Sequence, residues 1–272
     1  MIKDRRSVSP FTFFVLTYVL SWSIWIFLIL DSSQISAGVS SIVRLVGVLM
    51  PALSAIALTA YFSRSTGIRQ LFSRFKIWRV GFKWWLAIIL TYPVLLVIAG
   101  LLFNLFSPLS AINILPISAG GLIANIIFLA IAALGEEIGW RGVALPALQK
   151  KYTPFTSSLI LGLLWATWHI PFWLVIGTLT QFGLLYFLMN FLFIVPTTFF
   201  ITWFFNRTSG SLLLPVIFHV VFNVVNVAIF PVTGSVTAFG IFIVMQFAVM
   251  LIIVPALRKT KSAPTYNANG IG

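Results

Sequence analysis

AGGLIANIIFLAIAALGEEIGWRG, residues 119–142, is the stretch on which the reading of this chain turns. From Ala119 to Leu134 it is apolar or small except for Asn125. At about 1.5 Å of rise per residue, a helix of some 20 such residues crosses the roughly 30 Å hydrocarbon core of a bilayer. Yet the run ends in two adjacent carboxylates, Glu136 and Glu137, with Arg141 four residues beyond. Each charge held at bilayer depth costs about 2.5–3.5 kcal/mol or more, so such groups are functional candidates by default.

Seven further apolar runs flank this one: roughly 11–30, 42–62, 84–106, 156–176, 183–204, 212–230 and 236–256. None alternates as a barrel strand does. The chain has 272 residues, 60% hydrophobic and 8% charged, whereas a soluble domain carries about 25% charged residues. The fold expected is therefore all-α: a polytopic membrane helix bundle of about eight transmembrane helices. Residues 1–257 read as one transmembrane domain, and 258–272 as a short, disordered cytoplasmic tail. The first apolar run is too long for a signal-peptide core and no small-x-small cleavage site follows it, so it reads as a retained span. With no cysteine, disulfides, thiolate metal sites and cysteine nucleophiles are excluded.

The net charge of +13 comes from 17 Lys and Arg against 4 Asp and Glu. Fifteen of those 17 cations (all but Arg44 and Arg141) precede the first run, follow the last, or fall between runs two and three, four and five, or six and seven. Eight crossings put all of them on one side, and the positive-inside rule then places both termini in the cytoplasm. This arrangement points to orientation in a cell membrane of bacterial inner-membrane type rather than to a nucleic-acid partner. Arg44, near the outer end of the second run, reads as a side chain that snorkels to the interface. Between Arg64 and Lys83, Ile68, Leu71, Phe72, Phe75 and Trp78 recur at helical spacing among basic residues. This suggests an amphipathic helix on the inner interface, held partly by anionic lipid.

Only four acids and two histidines occur in the chain. Glu136 and Glu137 lie in the fourth apolar run, His169 in the fifth and His219 in the seventh. Adjacent helical side chains diverge by about 100°, so the two glutamates cannot share a direction. Glu137 and Arg141, four apart, share a face and suit a structural ion pair. Glu136 is left without a sequence-local partner and is the candidate chemical group. His219 and Asn223 are also four apart, with Asn226 continuing the face, so imidazole and carboxamide project together and can donate to an oxyanion. Trp165 lies one turn before His169 and can wall a pocket.

Two mechanisms suit these residues. In one, Glu136 with His169 deprotonates a water that attacks a peptide carbonyl, and His219 with Asn223 holds the oxyanion. In the other, Glu136, His169 and His219 bind zinc, a known catalytic ligand set, although no HExxH motif is present. Other functions use buried Glu and His too. A transporter or proton relay would carry polar residues along several helices and often an internal repeat, and none is visible. A non-catalytic scaffold or immunity protein of the same fold is a further alternative.

The three motifs Glu136-Glu137-x-x-x-Arg141, Trp165-x-x-x-His169 and His219-x-x-x-Asn223 resemble, in order and spacing, those of the CPBP family of CAAX proteases and bacteriocin-processing enzymes, also called Abi. The type II CAAX prenyl endopeptidases are part of it. Trp165 stands where Phe is commoner. The motifs span residues 136–223; before them the match is by hydropathy alone. The resemblance implies an eight-helix intramembrane endopeptidase in which the first glutamate and first histidine activate water and the later His and Asn stabilise the oxyanion. It implies no required cofactor, with a divalent metal such as zinc as the less favoured variant. The partner is a peptide or protein substrate, with or without a lipid. Hydrolysis needs water, so the expectation is a conical pocket open to the cytosol, with a side gap for an apolar tail and water access at Ala132, Ala166 and Val220.

Overall fold

The structure, a computed structural model, describes residues 8–30, 35–106, 119–225 and 236–259. Asn226, Asp31, the first seven residues and the tail from Thr260 onward lie outside these ranges. Ten α-helices carry the described chain: α1 Pro10–Leu30, α2 Ala37–Ser73, α3 Phe82–Phe106, α4 Ala119–Gly139, α5 Leu145–Gln149, α6 Pro154–Trp168, α7 Ile170–Val175, α8 Thr178–Arg207, α9 Leu213–Val224 and α10 Val236–Lys259. Among the described residues seven stretches are long and apolar enough to cross a membrane. The run expected at 212–230 is represented among the described residues by α9, a shorter apolar helix. The protein is a polytopic helical bundle.

Helix ends follow local chemistry. Thr153 caps α6 by accepting a hydrogen bond from the Thr156 amide, and Pro154 occupies the first helical position, where no N–H is needed. Beyond Gly139 the chain widens into one π-turn, Trp140–Ala144, before α5. Such turns are rare and cluster at functional sites. Here the extra residue follows the two glutamates directly.

Packing pairs α2 with α1 and α4, α8 with α6 and α10, and α9 with α3 and α4. The α2–α4 contact depends on two glycines that flank the glutamates. A Cβ on Gly135 would stand 3.0 Å from the Val48 carbonyl oxygen, and one on Gly139 would meet the Pro51 backbone at 2.7 Å. Small residues four apart let helix backbones approach closely in a membrane, where dispersion and hydrogen bonding rather than water drive association. Polar links add direction. Tyr92 of α3 donates to Thr197 of α8 and accepts from Gln246 of α10. Trp22 of α1 donates to the Trp168 carbonyl.

One end of the bundle gathers the cations. Arg74 donates to the Gly142 carbonyl at 3.2 Å, the Leu212 amide bonds to the Arg74 carbonyl, and Arg258 lies over the Phe155 ring. The segment from Arg64 to Lys83, expected as an interfacial helix, continues α2 after a break at Arg64, whose φ is 52°. Leu71 is buried and Phe72 and Trp78 are exposed. The segment is thus half-sunk, but it is tied to the bundle by Arg74 and by the Ser211 hydroxyl on the Ile77 carbonyl. It closes the basic end of the bundle beneath Glu137 and Arg141.

Candidate active site

Three of the sequence candidates meet at one point, and a fourth lines the cavity that opens from it. Glu136 comes from the last turn of α4, His169 from the junction of α6 and α7, and His219 from the middle of α9. His169 Nε2 stands 3.8 Å from Glu136 Oε2, and His219 Nε2 stands 3.9 Å from Glu136 Oε1. Each carboxylate oxygen therefore faces one imidazole, just beyond direct hydrogen-bond distance. Glu136 and His219 are almost wholly buried, while the His169 side chain keeps 14% of its surface exposed. Asn223, one turn beyond His219 on the same face, lines the same cavity.

Each imidazole is oriented through its other nitrogen. His169 Nδ1 lies 2.9 Å from the Trp165 carbonyl, which can only accept. His219 Nδ1 lies 2.8 Å from Glu137 Oε1. In both rings Nδ1 therefore carries hydrogen, and in the neutral tautomer Nε2 presents its lone pair toward Glu136. The rings are held flat as well: Trp173 stacks on His169 at 5.3 Å, and Phe222 on His219 at 4.6 Å.

Glu137 and Arg141 form an ion pair at 2.8 Å with both side chains fully buried. The pair was expected as a structural feature alone, but the same Glu137 oxygen also takes His219. Trp165, expected as a wall, has a further role. Its Nε1–H donates to Glu136 Oε2, and its ring lies 4.6 Å beneath the Arg141 guanidinium. Glu136 thus has a partner 29 residues away in the chain, which helix periodicity could not reveal. Trp173 went unnoticed in the sequence; its place four residues after His169 was the available signal. Asn226, the remaining pocket candidate, lies outside the described residues.

The candidate zinc ligands Glu136, His169 and His219 do come together. Metal–ligand bonds near 2.0 Å in a tetrahedral site bring ligand atoms within about 3.3 Å of each other, against 3.8 and 3.9 Å here. Among the described residues no group of three or more His, Cys, Asp or Glu side chains is placed to hold a metal ion. Glu136 Oε2 is moreover already engaged by Trp165.

A cavity of about 890 Å³ opens from this point. Glu136, Trp165, His169 and His219 form its closed end, and the N-terminal parts of α2, α4 and α8 contribute to the wall through Ser41, Arg44, Asn125 and Thr178. Its direction is incompatible with holding two sequence expectations together, a cytoplasmic basic end and a pocket that opens on that same side. The cavity runs toward the end of the bundle opposite the clustered cations. The reason is steric: Trp140, Leu145, Leu71 and Leu212 are all buried and fill the basic end below the glutamates. Of the three positions expected to meet water, Ala132 lines the cavity and Ala166 is fully buried outside its lining. Val220 is likewise not part of the lining. The N-terminal halves of α4 and α8 stand on either side of the cavity, with Ile123, Ile127, Leu184 and Leu185 exposed.

The comparisons agree with the resemblance read from the sequence. A family model described as Type II CAAX prenyl endopeptidase Rce1-like matches residues 118–225, the stretch that supplies every side chain of the closed end. The chain is also 26% identical over 227 residues to a protein of Methanococcus maripaludis named CAAX prenyl protease 2, covering 79% of this chain and 83% of that one.

Proposed function

We propose that this chain is a glutamate-dependent intramembrane endopeptidase of the type II CAAX prenyl endopeptidase kind, acting on a peptide whose lipid-modified or apolar segment lies in the bilayer. The observation that carries the reading is the convergence of His169 Nε2 and His219 Nε2 on the two oxygens of Glu136, at 3.8 and 3.9 Å, at the closed end of a cavity.

A water held between Glu136 and His169 gives its proton to the carboxylate as its oxygen attacks the scissile carbonyl carbon. The carbonyl π electrons move to oxygen. Asn223 donates to that oxyanion through its carboxamide, and His219 does so through Nε2 when the ring is doubly protonated, with Nδ1–H kept on Glu137. Collapse of the tetrahedral intermediate breaks the C–N bond, and protonated Glu136 returns its proton to the leaving amine. The hydrogen bond from Trp165 fixes the carboxylate plane through both steps. No metal enters these steps.

The exposed N-terminal halves of α4 and α8 support entry of an apolar tail between them, with the peptide in the cavity. The positive-inside rule supports cytoplasmic termini. On that orientation the cavity faces the opposite leaflet, and Arg64–Lys83 lies against the inner one, where its cations suit anionic lipid.

The test is cleavage of an S-farnesyl-cysteine peptide by the purified protein in liposomes, read by mass spectrometry. Wild type is expected to release a C-terminal fragment, with or without a strong chelator, and Glu136→Gln to release none. Equal cleavage by wild type and Glu136→Gln would refute the assignment. Loss of cleavage on chelation, restored by zinc, would transfer the water to a metal.

A further inference from the structure

The cavity holds one guanidinium that the hydrolytic steps do not use. Arg44 lines its wall from α2, together with Ser41, and donates to the Ser41 hydroxyl at 2.7 Å. Among the described residues neither carboxylate pairs with it: Glu136 and Glu137 are engaged with His169, His219 and Arg141. Arg44 is also one of only two cations set apart from the basic loops, and the other, Arg141, is locked to Glu137. The Arg44 backbone is fixed, since its carbonyl accepts from the Trp25 indole at 3.2 Å.

Position gives this cation a meaning. Val48, one turn further along α2, lines the cavity and presses its carbonyl against Gly135, next to Glu136. Arg44 is about 6 Å further from the site along the helix axis, and Ser41 about 10 Å. An extended peptide covers about 3.3–3.6 Å per residue. Along α2 that offset corresponds to about two to three residues of extended peptide, in a cavity otherwise mostly apolar. A peptide bound across that distance brings one obligatory anion when it ends there: its own terminal carboxylate. Arginine binds carboxylates by paired N–H donors, and more strongly where water is sparse.

We propose that Arg44 captures the substrate's C-terminal carboxylate. The inference rests on the peptidase reading and adds a specificity-determining residue to it. Arg44 acts on binding and takes no part in proton transfer.

The experiment compares two S-farnesyl peptides that differ only at the terminus, one a free acid and one a C-terminal amide, with wild type, Arg44→Gln and Arg44→Lys in liposomes. Wild type is expected to favour the acid by about 10- to 100-fold in kcat/KM, mostly through KM. Arg44→Gln is expected to bring the acid down to the amide's value. Arg44→Lys is expected to keep part of the preference. An unfolding temperature of Arg44→Gln in detergent equal to that of wild type shows that the variant is folded. Equal use of acid and amide by wild type, or an equal loss on both peptides in Arg44→Gln, would overturn the assignment and leave the peptidase reading intact. Cleavage of neither peptide by wild type would overturn both.

Discussion

His219 Nδ1 and Arg141 both bond the same oxygen of Glu137, each at 2.8 Å. One buried carboxylate thus compensates a buried guanidinium and sets the direction in which an imidazole 82 residues away presents its other nitrogen. The second glutamate of the pair is a positioning residue for the site built around the first.

Removing Glu137 is therefore expected to cost both stability and activity. Glu137→Ala leaves Arg141 buried and uncompensated, a loss of about 3–5 kcal/mol. The double variant Glu137→Met/Arg141→Met removes the buried charges together and is expected to regain much of that stability but not the activity, because His219 stays unanchored. Thermal unfolding in detergent, set beside peptide cleavage, separates the two effects. Recovery of both in the double variant would show that Glu137 has no positioning role.

Trp165→Phe keeps an aromatic ring but deletes the N–H that Glu136 accepts, together with part of the buried indole's volume. A hydrogen bond to a charged group is worth about 1.5–3 kcal/mol. Only part of this bears on the reaction, since water can take the donor's place. The expected result is a fall in kcat of about 10-fold with KM little changed, beside a lower unfolding temperature from the void left by the smaller ring. A change in KM alone would mean that Trp165 contacts substrate rather than orienting the base.

How far the sequence led depended on whether contacts were local. Hydropathy revealed the apolar helices because each span must be apolar along its own length. Spacing by four revealed Glu137 with Arg141 because a helix turn is local. The Glu137–His219 and Glu136–Trp165 bonds join separate helices, and no periodicity within one helix encodes them. Closure of the cavity at the basic end was not legible for a related reason: Arg74, Leu71 and the π-turn after Gly139 fold over that end from separate parts of the chain. Arg44 read as a snorkelling cation because its position along α2 is legible in the sequence, but which side of the helix meets the cavity is not.

The close approach of α4 to α2 makes a prediction that needs no substrate. In Gly139→Leu the new side chain meets the Pro51 backbone, which cannot yield as a flexible side chain would. Overpacking of this kind costs about 1–3 kcal/mol, and here it also pushes Glu136 away from the histidines. A lower unfolding temperature together with loss of cleavage is expected. In Gly38→Leu, whose Cβ would meet nothing within 4 Å, both are expected to remain. If Gly139→Leu were as stable and active as wild type, the glycine contact would not be what holds the site.

Because the chain has no native cysteine, single cysteines can report the cavity and its sidedness directly. Ala132 lines the cavity, whereas its neighbour Ala133 is fully buried and outside the lining. Ala132→Cys is expected to react with a small water-soluble maleimide in folded protein, and Ala133→Cys only after unfolding. Thr178→Cys, at the far end of the cavity, is expected to react in intact cells with a reagent that cannot cross the membrane, and Lys150→Cys, at the basic end, only after permeabilisation. The reverse labelling order for the last pair would invert the protein in the membrane and open its cavity to the cytoplasm. The geometry of the site would be untouched, but substrates would then have to arrive from the cytoplasmic side.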